Sequence, residues 1–138
     1  MLNNMREQID NLIVSLISIK EFSKDIHYSC IGHEAYSWHL LADRVQENLD
    51  DYIDRLKEYL LGIDEKPLSS KEYLGTSISF IPKLDVNTIN NFKKLQEIIN
   101  KTLDDINKTQ LDKAGDNLVS EIADNICNSN GIINLVIS

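Results

Sequence analysis

Three histidines, His27, His33 and His39, fall within 13 residues, and a series of carboxylates follows them. Asp43 lies four residues after His39, Asp54 eleven after that, and Glu58 another four on. Asp54 and Glu58 are one helical turn apart and share a face. Imidazole nitrogen and carboxylate oxygen together suit iron, manganese or zinc, and ligand type alone does not separate the three. Each residue taken singly has an ordinary reading: a helical carboxylate is usually solvated, and a lone histidine usually packs or caps. A di-iron centre inside one four-helix chain calls for Glu-x-x-His on two helices plus two further glutamates. The sequence has no Glu-x-x-His and no histidine after position 39. A metal site built from these residues must therefore be completed by another subunit.

The elements that would position these groups are helices. Gly32, Gly62, Gly75, Gly115 and Gly131, with Pro67 and Pro82, are the only strong breakers in the chain. The long segments between them have helical, not alternating, periodicity. The spacing predicts a helix over about 3–31, with Ile9, Leu12, Ile13, Leu16, Ile19 and Ile26 on one face. A second, about 33–61, uses Val45, Leu49, Tyr52, Ile53, Leu56 and Leu60. A third, about 85–114, uses Ile89, Phe92, Leu95, Ile99, Leu103 and Ile106, with Asp85 as its N-cap. The last, about 116–137, uses Leu118, Val119, Ile122 and Ile126, and Gly131 weakens its end. Nothing reads as a strand. Short connections are expected around Gly32 and Gly115, and a long one over 62–84. Inside it Ser69-Ser70-Lys71-Glu72 has capping-box spacing, which predicts a short helix near 70–75. Two hairpins joined by one long crossover make an all-α, ferritin-like four-helix bundle. The turn at Gly32 brings His27 and His39 onto facing surfaces.

The chain is 138 residues, one domain by size, and 42% hydrophobic, enough for a core. With 14 Lys+Arg against 22 Asp+Glu its formal charge is −8, which argues against unaided binding to nucleic acid. No apolar run approaches the roughly 18 residues of a membrane span. The first residues, Met1-Leu2-Asn3-Asn4, have no signal-peptide pattern. Cys30 and Cys127 stand alone and are expected to be small buried hydrophobes. These features predict a soluble cytoplasmic protein with free thiols.

The stretch Lys24-Asp25-Ile26-His27-Tyr28, then Gly32-His33, then Ser37-Trp38-His39, resembles the Dps family, the twelve-subunit mini-ferritins. The family's ferroxidase spacing falls without a gap on His27, His39, Asp43, Asp54 and Glu58. Leu61-Gly62 and Lys66 to Leu74 resemble its crossover and short extra helix, and Lys113-Ala114-Gly115-Asp116 the turn that opens its last helix. The resemblance spans about residues 10–137. It implies a dodecameric shell that oxidises Fe(II), preferentially with hydrogen peroxide, and stores the ferric product. Its sites would lie at dimer interfaces, with His27 and His39 from one subunit and Asp54 and Glu58 from the two-fold partner. Asp43 would support a second, weaker iron. Asp112, Asp116 and Glu121 would line a three-fold entry pore, where an acidic funnel concentrates a divalent cation. The ordinary reading of these three is a solvated turn at a helix start. Tyr28 stands where the family usually has Trp, and Ile132-Ile133 where its last helix usually carries one. Tyr28 and Trp38 flank the site as candidate electron donors, with interface packing as the favoured role. His33, beside the turn, is expected to serve structure more than iron entry.

The family's other trait, DNA binding, rests on a basic tail. Here only Arg6 precedes the first helical face, and twelve subunits at −8 each give a formal −96, which repels a duplex. The sequence thus favours a ferroxidase over two alternatives, a DNA-protecting coat and a helical assembly with a vestigial metal site.

Overall fold

A computed structural model describes the backbone of residues 2–138 and the side chains of residues 5–138. Six α-helices follow in order: α1 (Leu2–Ser29), α2 (Ala35–Gln46), α3 (Leu49–Gly62), α4 (Ser70–Ser77), α5 (Thr88–Asn107) and α6 (Lys113–Ile137). A 3-10 turn, Ile78–Phe80, extends α4. No strand occurs among the described residues. The helix α1 packs on α2, α3 and α5, while α6 packs on α5, α2 and α3. The result is a four-sided bundle in which α2 and α3 together form one side and α4 rides on α1 in the crossover. The buried residues are those the periodicity selects: Ile9, Ile13, Leu16 and Ile19 on α1, Leu56 and Leu60 on α3, Phe92, Leu95 and Ile99 on α5, Ile122 and Ile126 on α6. Removing such side chains from water is the main stabilising term. No helix of the described residues is long and apolar enough to cross a membrane.

The segment expected as one helix over 33–61 is two. Asn48 takes a left-handed conformation (φ 73°) and separates α2 from α3. Asparagine is among the few residues that tolerate this region, so no glycine is needed. The apolar pattern passes through the break unaltered, with Val45, Leu49 and Tyr52 all buried, which is why periodicity reads a single helix.

Other boundaries move for equally local reasons. Asn87, not Asp85, caps α5, its side chain accepting from Asn90 N–H at 3.1 Å. Asp85 instead accepts from Asn87 N–H at 2.8 Å, and buried Asn91 bonds both its N–H and its carbonyl. That helix ends at Asn107, short of 114, because Asp112 opens the next one by accepting from Gly115 N–H at 2.8 Å. Gly115 is therefore not the connector but part of α6. A β-carbon there would stand 2.7 Å from the Tyr59 hydroxyl, so glycine lets α6 approach α3. Gly131 does not end α6, which runs to Ile137. The capping box at Ser69 and Glu72 forms in full, and α4 follows it.

Candidate metal centre

His27 lies in the last turns of α1, one residue after the buried Ile26, and His39 in the first turns of α2. Between them Gly32, at φ +98°, turns the chain back. The two imidazoles stack with centroids 3.5 Å apart and planes at 26°. His27 Nδ1 lies 3.1 Å from the His39 carbonyl oxygen, and His39 Nδ1 lies 2.9 Å from the His27 carbonyl oxygen. A carbonyl oxygen only accepts, so Nδ1 carries the hydrogen in both rings. In the neutral ring the lone pair then sits on Nε2, the nitrogen left to bind a metal ion. Such a bond from the other ring nitrogen is what orients metal-binding imidazoles generally.

The carboxylates are displayed separately. Asp43, exposed one turn beyond His39, accepts a hydrogen bond from Gln46 at 2.9 Å. Asp54 and Glu58 are exposed on α3, and among the described residues neither has an ion-pair or hydrogen-bond partner. Asp54 opens into a cleft of about 390 Å³ lined by Lys20, Lys57, Tyr73 and Leu74, with Lys20 held by Asp50 at 2.9 Å. Among the described residues no three His, Cys, Asp or Glu side chains are grouped closely enough to hold a metal ion. The fold thus brings His27 and His39 together and leaves Asp54 and Glu58 on a different, open surface.

The remaining candidates are placed as follows. Tyr28 meets His27 edge-on at 4.8 Å and is 82% exposed, whereas Trp38 is half-buried against the core. His33 stands exposed, and the cap position before α2 belongs to Glu34, which caps with no side-chain bond. Asp112 is committed to capping α6 and also accepts from the Tyr59 hydroxyl at 2.9 Å. Burial, and then this bond, push the Tyr59 phenol up to about 12. Glu121 pairs with Arg55, and Asp116 remains exposed in the first turn of α6. The expectation of two buried thiols fails: Cys30 is half-buried, its thiol donating to the Ile26 carbonyl at 2.9 Å, and Cys127 is exposed on α6. Burial pushes the Cys30 thiol upward, so it is a poor thiolate. Tyr59 and Arg55, which hold two of the three proposed pore carboxylates, carried no signal in the sequence spacing.

Comparison with solved structures decides the architecture. A mutant of Dps1 from Mycobacterium smegmatis superposes with a TM-score of 0.82 over 99% of this chain and 96% of its own, at 13% identity. The chain has the Dps fold. Dps from Listeria monocytogenes agrees, with a TM-score of 0.70 over 94% of this chain and 86% of its own, at 21% identity. A Dps mutant from Listeria innocua gives the same score at 20% identity, covering 94% and 88%. No family model and no curated protein matches the sequence. The Dps likeness is thus one of backbone course.

Proposed function

We propose that this chain is a subunit of a Dps-type mini-ferritin that oxidises Fe(II) with hydrogen peroxide and stores the ferric product. The observation that carries the reading is the stacked pair His27 and His39, each presenting an unengaged Nε2. Iron is here the substrate. His27 and His39 of one subunit would bind it together with Asp54 and Glu58 of a second copy, and Asp43 would assist a weaker second iron through water. The open, unpartnered state of Asp54 and Glu58 in a single chain supports this sharing. Anionic oxygen stabilises Fe(III) more than Fe(II), so these carboxylates favour the oxidised product. Two Fe(II) and one hydrogen peroxide, with two protons, yield two Fe(III) and two waters. Pairing the two oxidations removes peroxide without releasing a hydroxyl radical, which is the protective value of the reaction under oxidative stress. Tyr28 and Trp38 are the candidate one-electron donors when only one iron is bound. Asp112, Asp116 and Glu121 are proposed for the entry pore, with Asp116 its freest carboxylate. A twelve-subunit shell acting in the cytoplasm, with no DNA binding of its own, completes the reading.

The test is a pair of substitutions. Asp54→Asn removes a charge with little change of shape, and Asp54 has no hydrogen-bond or ion-pair partner among the described residues, so folding and assembly should survive. Iron occupancy and peroxide-dependent oxidation should both fall steeply. His33→Ala, outside the five-residue set, should leave both nearly intact. Oxidation at the parent rate by Asp54→Asn, or its abolition by His33→Ala, refutes the assignment.

A further inference from the structure

The turn between α1 and α2 is held weakly by its own residues. Ile31, Gly32, His33 and Glu34 are all exposed, Gly32 is in the left-handed region, and α2 has no side-chain cap. Within it one backbone bond, Ala35 N–H to the Gly32 carbonyl at 3.2 Å, closes the chain. At the end of α1 the last carbonyls have no helical partner of their own. Side chains take two of them: Ser29 and Cys30 donate to the Ile26 carbonyl, and His39 donates to the His27 carbonyl. His39 is thus a C-terminal cap for α1 delivered from the next helix. His27 returns the same bond to α2, and the stacked rings fill the space between.

We propose that His27 and His39 form a metal-independent clip that closes the α1–α2 turn, each acting as the positioning residue for the other. The Nδ1 side of each ring is spent on the main chain, and the Nε2 side is left free. The histidine pair is therefore set in place before any metal arrives, and loss of one ring misplaces the other. Only the use of the free nitrogens for iron rests on the function proposed above. The clip itself does not, and it is tested in the presence of a chelator.

Side-chain amides separate the two faces of the ring. The Asn amide nitrogen falls where imidazole Nδ1 sits and keeps the bond to the carbonyl, whereas Ala loses that bond and retains only its own main-chain carbonyl as acceptor for the other ring. With chelator present, His39→Ala should speed amide hydrogen exchange over residues 30–38 roughly tenfold, the value of one or two net hydrogen bonds. His39→Asn should hold exchange within about twofold of the parent, and His27→Asn should do the same from the other side. The parent alone gives a second measurement. With only three histidines in the chain, nitrogen resonances of labelled imidazoles should show hydrogen on Nδ1 and none on Nε2 for His27 and His39 at alkaline pH. His39→Ala keeps the carbonyl that accepts from His27 but loses the reciprocal bond, so it should weaken the Nδ1–H signal of His27, and His39→Asn should retain it. Unchanged exchange in His39→Ala, equal disruption by Asn and Ala, or hydrogen on Nε2 in the metal-free parent would each overturn the clip. Loss of iron oxidation with the clip intact, as expected for His39→Asn, bears on ligation alone.

Discussion

Tyr73 fastens the crossover to α1, and its removal is the most calculable perturbation in the molecule. The residue is 1% exposed, and its hydroxyl donates to Asp10 Oδ1 at 2.7 Å while accepting from Leu68 N–H at 3.1 Å. Asp10 is also held by Arg6 at 3.4 Å, and Arg6 reaches on to Glu65 at 3.0 Å. Tyr73→Phe keeps the ring and deletes both bonds. A bond to a charged acceptor contributes about 1.5–3 kcal/mol and a neutral one about 1 kcal/mol, while Arg6 continues to compensate Asp10. The net loss should be about 2 kcal/mol, near 6 °C in Tm for a chain of this size. Denaturant or thermal unfolding at fixed protein concentration reads it, since assembly makes stability depend on concentration. Tyr52→Phe is the control, because the Tyr52 hydroxyl has no hydrogen-bond partner among the described residues and its loss should cost under about 0.5 kcal/mol. The pH dependence gives an independent check. Burial, and then the bond to Asp10, push the Tyr73 phenol from 10 up to about 12. The unfolded chain therefore loses that proton near 10 and the folded chain near 12, so stability declines across this window as pH rises. Tyr73→Phe should flatten that decline, leaving the shares due to Tyr59, Tyr52 and Cys30, whose acids burial also pushes upward. A Tyr73→Phe protein within about 0.5 kcal/mol of the parent, with the same alkaline slope, would refute the network.

Three further outcomes are expected. Gly115→Ala should destabilise by about 2 kcal/mol, because its β-carbon would meet the Tyr59 hydroxyl at 2.7 Å and both Tyr59 Cζ and Leu111 Cβ at 2.8 Å. Adding Tyr59→Phe should restore only part of this in the same unfolding assay, since two of the three close atoms remain. Light scattering of the purified protein should give a mass well above one chain, and a stable monomer would end the shared-site reading. Plasmid at about 150 mM salt should show no gel retardation, as a formal charge of −8 per chain offers no counterion release.

Much of the bundle was legible in the sequence because its rules are local. The buried faces of α1, α3, α5 and α6 follow the 3.6-residue period, and Ser69 with Glu72 announces α4 through a capping box that needs only four residues. Where two local devices compete, spacing does not choose: Asp85 and Asn87 both suit a helix start, and the Asp85 carboxylate is committed to accepting from Asn87 N–H. The split at Asn48 gives no clear signal because asparagine costs less inside a helix than glycine or proline and so does not by itself mark a break. Local spacing reads Gly115 as a turn because its real reason, the hydroxyl of Tyr59, lies 56 residues away in sequence. The pairing of His27 with His39 was legible from the turn between them. Which ring nitrogen each would spend was not, since that depends on carbonyl positions no spacing encodes.

The break at Asn48 makes the stretch between Asp43 and Asp54 a joint. In one unbroken helix eleven residues complete just over three turns at about 3.6 each, which would lock the two carboxylates in phase. The left-handed residue resets that phase, so α2 carries His39 with Asp43 and α3 carries Asp54 with Glu58 as two separate modules. Mutational drift is partitioned accordingly. A substitution that tilts α3 re-aims Asp54 and Glu58 as a unit and leaves His39 and Asp43 where α1 holds them. A lineage descending from such a chain inherits two independently adjustable pairs of side chains, and an insertion at the exposed Asn48 changes the span between them without altering the spacing inside either.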